Sequence, residues 1–250
     1  YLDLRRTKVR DWCVSQAKVI KEIGCDGWWL DNVDVYEEYE SSATYNAVIS
    51  TLRRIKGLGG YVMINGGSKF LSDKMDGEAH LAVYKVQCGA FRLYENAEEL
   101  ARTLKKNNIS TIIKTERSEN DTLYKVQVGA FSDFSNAYAR MCGVKSLGIN
   151  AIIKLEGTNT KEIDAKSFID GVTQEEVVTQ IKDYSGKGQF GNQESKQSNW
   201  YKEYMCRVKT HGMETFLLEY TGDQKVVTKI KKFVKDYGMT GYYASSDVNL

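Results

Sequence analysis

The chain has 250 residues, 42% hydrophobic and 27% charged, which is room for one large domain or two modest ones with a buried core. Its 35 basic and 33 acidic residues leave a net charge of +2, which argues against a polyanion binder and so against nucleic acid. No apolar run reaches the length of a membrane span, and five cysteines without CxxC spacing and two histidines offer neither a disulfide framework nor a His-rich metal site. No cofactor is expected. The chain opens on Tyr1 inside a stretch with strand character, so it reads as part of a longer protein, and the lack of a visible signal peptide says nothing about export.

Residues 1–4 (YLDL) read as the end of a strand. Val9, Trp12, Cys13, Ala17, Ile20 and Ile23 then recur at helical spacing, predicting a helix over 7–23. The run Trp28-Trp29-Leu30 is too short for a helix, is punctuated by Gly24 and Gly27, and stops at Asp31-Asn32; it reads as a buried strand. A second helix is predicted over 41–57, with Ser41 or Ser42 as cap and Gly57, Gly59 and Gly60 ending it. YVMIN at 61–65 is another buried strand, running into Gly66-Gly67 and a short helix near Phe70 and Leu71. Such alternation argues for parallel strands joined by helical crossovers.

The rhythm then changes. YKVQCGAF at 84–91 returns as YKVQVGAF at 124–131, seven of eight residues identical, and the same offset relates Asn96-Ala97 to Asn136-Ala137 and IIK at 112–114 to IIK at 152–154. Each copy reads strand, helix, strand: 84–90, 95–106 and 111–115, then 123–130, 135–147 and 150–155. Two such units predict a four-stranded antiparallel sheet with both helices on one face. Alternation turns Val86 and Cys88, and Val126 and Val128, toward the helices, leaving Lys85, Gln87, Lys125 and Gln127 on an open surface.

Afterwards the parallel rhythm resumes. SFIDGVT at 167–173 reads as a strand ending at Gln174 and Glu175, followed by a polar loop over 185–198, a helix over 199–210, a strand over 214–219, a helix over 223–236 and a strand over 241–245. Asp31, Asn65, Glu175, Glu219 and Ser245 or Ser246 all follow apolar runs. In a parallel α/β barrel those ends share the face that carries active sites. Taken alone, Asp31-Asn32 reads more readily as a helix cap; the series of strand ends makes it a candidate site. The expected fold class is α/β: an incomplete (β/α)8 TIM-type barrel with about six of eight strands, over 1–78 and 162–250, interrupted by an α+β ferredoxin-like domain at 84–155. Six strands cannot close such a barrel, so two unpaired edges are expected.

Two family resemblances rest on these residues. LDLR at 2–5, DGWWLDNVDVY at 26–36, VMINGG at 62–67, DGVTQE at 170–175, LLEYT at 217–221 and the closing SSD-N-L resemble the endo-α-1,4-polygalactosaminidase-like glycoside hydrolases. That resemblance implies a secreted or envelope-attached α/β barrel hydrolysing galactosamine-containing polysaccharide with two carboxyl groups, here Asp31 and Glu175. It leaves Asn32, Asp34, Tyr36, Asn65, Glu219, Tyr220 and Asp247 to line the substrate. Carboxylates at 34, 219 and 247 would attract free amines, although hydrogen bonding to loop backbone explains Asp34 and Glu219 equally well. The duplicated segment resembles a sporulation-related repeat (SPOR) domain, which implies binding to peptidoglycan glycan strands stripped of their stem peptides, with Gln87 and Gln127 as the contacts. The expected partners are therefore a polysaccharide substrate and peptidoglycan glycan strands, with no nucleic acid and no membrane span. The expected location is extracellular or the cell envelope. The alternative is a non-catalytic carbohydrate- or peptidoglycan-binding envelope protein.

Overall fold

The computed structural model describes residues 2–79, 82–119, 121–157, 165–184 and 189–246. The chain forms two compact units, one of residues 1–77 and 163–250, the other of residues 78–162.

In the first unit, α1 (Thr7–Glu22) leads to β1 (Gly27–Leu30), a single turn α2 (Val35–Glu38), α3 (Ser42–Lys56), β2 (Tyr61–Asn65) and α4 (Ser68–Ala79). Ser41 caps α3 by accepting from the Thr44 N–H at 3.1 Å. Residues 2–4 of the YLDL stretch are not a strand. The Arg5 guanidinium grips the Asp3 carboxylate at 2.8 Å, and the chain turns there into α1. Among the described residues the parallel strands are therefore five, one fewer than the six expected.

The second unit is inserted after α4 and comprises β3 (Ala82–Phe91), α5 (Tyr94–Lys106), β4 (Ile112–Arg117), β5 (Thr122–Phe131), α6 (Phe134–Ser146) and β6 (Ile152–Gly157). The first unit then resumes with β7 (Gly171–Glu175), a hairpin of β8 (Thr179–Asp183) and β9 (Gln189–Asn192), α7 (Ser195–Thr210), β10 (Glu214–Tyr220), α8 (Gln224–Tyr237) and β11 (Gly241–Ser245). Two expectations shift here. Phe168 and Ile169, both fully buried, belong to the turn before β7 and not to the strand. Part of the expected polar loop is the hairpin strand β9 and the first turn of α7; residues 185–188 lie outside the described residues.

The five-stranded sheet has the order β1-β2-β7-β10-β11, every pair parallel, as in a barrel wall. Val62, Ile64 and Val172 on its helix-covered face have no exposure, and Leu217 has 1%. Burying each such side chain contributes about 1.5–3 kcal/mol. The Trp28 indole N–H donates to Ala17 O in α1 at 2.9 Å and ties the strand to its helix. At the foot of the sheet Asp170 accepts from Lys56 Nζ at 2.6 Å and from the Val62 N–H at 2.7 Å, joining the end of α3 to the start of β2. On the opposite face, Trp29 of β1 is 49% exposed and Tyr243 of β11 57%. Both belong to edge strands, and among the described residues neither β1 nor β11 has a further partner. Beside β1 lies an apolar cleft of about 530 Å³ lined by Leu2, Leu4, Leu30, Val48 and Leu52.

The inserted unit is a four-stranded antiparallel sheet of order β4-β5-β3-β6, the ferredoxin-like arrangement expected from the duplication. Both helices pack on it. Buried Tyr84, Val86, Val126 and Val128 meet Ala97, Leu104, Ala137 and Val144, and the Tyr84 ring meets Phe134 edge-on at 5.1 Å. The repeated Gly-x-Phe has a steric cause. A Cβ on Gly89 or Gly129 would sit 2.5 Å from the ring of Phe91 or Phe131, which folds back over it.

Candidate active site

Three neighbouring strands place the site. β1, β2 and β7 end respectively at Leu30, Asn65 and Glu175; Leu30 pairs with Ile64 and Asn65 with Thr173, so Glu175 stands two residues past the partner of Asn65. Asp31 follows β1 directly. Asn65 stands between the carboxylates: its Nδ2 donates to Asp31 Oδ1 at 3.1 Å and to Glu175 Oε1 at 2.6 Å. The reverse amide orientation would set its carbonyl against two carboxylates, so the donors must point this way. Asn32 Nδ2 donates to the other Asp31 oxygen at 3.1 Å, and the Tyr220 hydroxyl donates to Glu175 Oε2 at 2.9 Å. Burial and the adjacent Glu175 push the Tyr220 phenol up, so it stays protonated at neutral pH.

Each of the three residues is followed at once by a left-handed one: Asn32 with φ 60°, Gly66 with φ 65° and Glu176 with φ 56°. Only the glycine adopts this region freely; for the other two it costs about 1–2 kcal/mol each. The turn ends each strand abruptly and leaves the preceding side chain at the rim. Strain of this kind held at strand ends is a mark of functional sites. Asn32→Gly should relieve it, raising stability by up to about 1 kcal/mol, while removing the amide that holds Asp31 and lowering turnover. Thermal unfolding and steady-state kinetics on the same preparation test both; a loss of stability would refute the strain argument.

Not every residue named from the sequence reaches this site. Asp34 spends its carboxylate on the Gly67 N–H at 2.8 Å and shapes the turn after β2. Tyr36 is buried, with its hydroxyl on Asp73 at 2.7 Å and its ring among Tyr45 and Phe70; burial first, then Asp73, raises it to about 12. It is a core residue and not a substrate contact. Glu219 is corrected too. It is fully buried on the opposite side of its strand from Tyr220, and accepts from the Val178 N–H, the Thr179 N–H and the Thr179 hydroxyl at 2.7–2.9 Å. Burial raises it to about 7, the hydrogen bonds opposing a further rise. Its role is to seat the first residues of β8. Asp247 lies outside the described residues.

Two neighbours were not singled out as substrate contacts. Trp29 lies on the same strand face as Asp31, two residues earlier, and its indole N–H reaches Thr173 Oγ1 at 3.2 Å. Glu176 beside Glu175 is raised by burial, with Glu175 adding to the rise, and holds the Ile181 N–H. The Trp28-Trp29 pair was legible, since period two sends adjacent residues to opposite faces. The turn at Glu176 left no trace in composition.

On the inserted sheet, the central row runs Ile112, Gln127, Gln87, Ile152 across all four strands. Gln87 is 7% and Gln127 4% exposed, so the expectation that both stand free on the surface is corrected. The two face each other at the sheet centre, where flanking side chains cover them. Ile112 and Ile152 are the exposed members of the row, at 55% and 45%. Lys85 pairs with Glu156 and Lys125 with Glu116 on the same face.

Residues 82–154 match the SPOR domain family. The chain is 38% identical to the solution structure of the peptidoglycan-binding domain of the Bacillus subtilis cell wall lytic enzyme CwlC; the match covers 30% of this chain and 91% of that one, with a TM-score of 0.27. The glycoside hydrolase domain of PelA from Pseudomonas aeruginosa, and a single-site variant of it, each match 97% of this chain at 11% identity with a TM-score of 0.51. That likeness concerns the fold, and the match spans 62% of the PelA domain's length. No curated protein matches the chain by sequence. The chain thus joins a SPOR domain to an α/β unit folded like a glycoside hydrolase domain. Among the described residues no helix is long and apolar enough to cross a membrane.

Proposed function

We propose that the first unit is a retaining glycoside hydrolase for amino-sugar polysaccharide of the α-1,4-galactosamine type, and that the SPOR domain holds it to peptidoglycan in the cell envelope. The observation that carries this reading is the shared donor. Asn65 Nδ2 binds one oxygen of each carboxylate, so those oxygens lie within roughly 6 Å, short of the ~6.5–9.5 Å that an inverting pair needs for its water.

The hydrogen bonds also divide the roles. Both Asp31 oxygens accept from amide N–H groups that cannot accept in return, so a proton there would displace a donor. Asp31 is therefore the nucleophile, attacking the anomeric carbon. Glu175 Oε2 faces a hydroxyl, which can donate or accept. Glu175 thus keeps a partner in either protonation state. It gives its proton to the departing glycosidic oxygen, then takes one from the water that releases the sugar from Asp31. Glu176 adds negative charge beside the pair, which supports a substrate with free amines, and Trp29 offers an apolar face for a sugar ring.

The test is the configuration of the first product. With an α-1,4-linked galactosamine oligosaccharide, NMR should show the α-anomer before mutarotation. A β-anomer would exclude retention. Binding with no cleavage would favour the non-catalytic alternative.

A further inference from the structure

The duplication can be compared with itself, residue by residue, at its offset of 40. On the helix-free face of the inserted sheet, six pairs are identical: Lys85 and Lys125, Gln87 and Gln127, Ala90 and Ala130, Ile112 and Ile152, Lys114 and Lys154, Glu116 and Glu156. The helices tell a different story. Of the thirteen positions of α5 and α6, only Asn96 and Asn136, Ala97 and Ala137, and Lys105 and Lys145 agree; the buried pairs Ala101 and Met141, and Leu104 and Val144, have diverged. The helices have drifted between the halves, whereas the open face keeps every pair but Val83 and Leu123, which are both apolar.

The strand register makes this an actual symmetry of the face. Gln87 pairs with Gln127 at the centre, Ile152 flanks Gln87, and Ile112 flanks Gln127. The Lys85–Glu156 pair in one half maps onto Lys125–Glu116 in the other. A pseudo-two-fold axis therefore passes between the glutamines, normal to the sheet. Among the described residues Lys114 and Lys154, one in each half, enter no ion pair.

Resting on the peptidoglycan reading above, we propose that this face binds a peptide-stripped glycan strand in either chain direction with equal affinity. A strand stripped of stem peptides carries a free lactyl carboxylate on every second sugar. Lys114 and Lys154 match such carboxylates in sign, and Ile112 and Ile152 supply exposed apolar surface for the C–H faces of the rings. A glycan is directional, with one reducing and one non-reducing end. Rotation by the two-fold axis reverses that direction and returns each of the six paired side chains to an identical one. The two poses are therefore degenerate, and the anchor needs no particular strand polarity in the wall.

The experiment uses the whole chain, labelled with ¹⁵N-isoleucine, and a peptide-stripped peptidoglycan tetrasaccharide carrying a nitroxide at its reducing end. With two directions populated equally, the Ile112 and Ile152 amide signals should broaden to the same extent within about two-fold, and a diamagnetic tag should abolish the effect. Lys114→Ala and Lys154→Ala should weaken binding by equal factors. Broadening confined to one isoleucine, or unequal losses in the two lysine variants, would overturn the two-direction binding while leaving the peptidoglycan reading intact. No shift and no broadening at either isoleucine would overturn both.

Discussion

Azide should rescue Asp31→Asn and Glu175→Gln with opposite anomeric outcomes. Removing the general acid should cost about 10²–10⁴-fold in kcat on the polymer, and removing the nucleophile at least as much. A galactosaminide with a good leaving group bypasses the need for acid in the first step. In Glu175→Gln the glycosyl–Asp31 ester then forms but waits for a base, and azide, which needs none, attacks it to give the α-glycosyl azide. In Asp31→Asn azide takes the place of the nucleophile itself and gives the β-glycosyl azide. Because Asn65 donates to both carboxylates, it keeps a partner in each variant, and the site should hold its shape. Rescue of Asp31→Asn to the α-product would reverse the two roles. Undiminished turnover in both variants would remove the pair from the chemistry.

Glu219→Gln should destabilise the first unit by about 1–3 kcal/mol, because the new amide N–H₂ faces N–H donors and leaves one of them unsatisfied. The deficit should depend on pH. Burial raises the folded-state value of Glu219 from 4.5 to about 7. The folded chain thus holds this proton more tightly than the unfolded one, so the stability Glu219 contributes is full below about 4.5 and is lost as pH rises through about 7. On the order of 3 kcal/mol is at stake across that window. The gap between the natural chain and the variant, which cannot ionise there, should therefore be widest near pH 5 and closed or reversed by pH 8. All four tryptophans, Trp12, Trp28, Trp29 and Trp200, lie in the first unit, so their fluorescence during urea unfolding reads that unit alone. A deficit that stays constant from pH 5 to pH 8 would refute the buried titration.

What the sequence determined by itself was whatever repeats or alternates locally. The duplication showed through because seven of eight residues return in YKVQ-x-GAF, and each Gly in it is demanded by the Phe two positions later. The strand ends at Asp31, Asn65 and Glu175 were legible because an apolar run that stops in a polar residue is a local pattern. Which way each polar residue faces was not. Glu219 and Tyr220 are adjacent and both end the same apolar run, yet one is sealed against the start of β8 and the other reaches Glu175. Only the pairing of β10 with β7 sets that parity, and pairing is a contact between segments distant in sequence. The YLDL expectation failed for a local reason, since Asp3 accepts from the Arg5 N–H and guanidinium only two residues on and the chain turns there. Tertiary structure covered Gln87 and Gln127, because two central strands bring the glutamines face to face between flanking rows. It also made Asn65 the residue that joins the two carboxylates. Its importance lies in having β1 on one side and β7 on the other, an order that exists only once the sheet has formed.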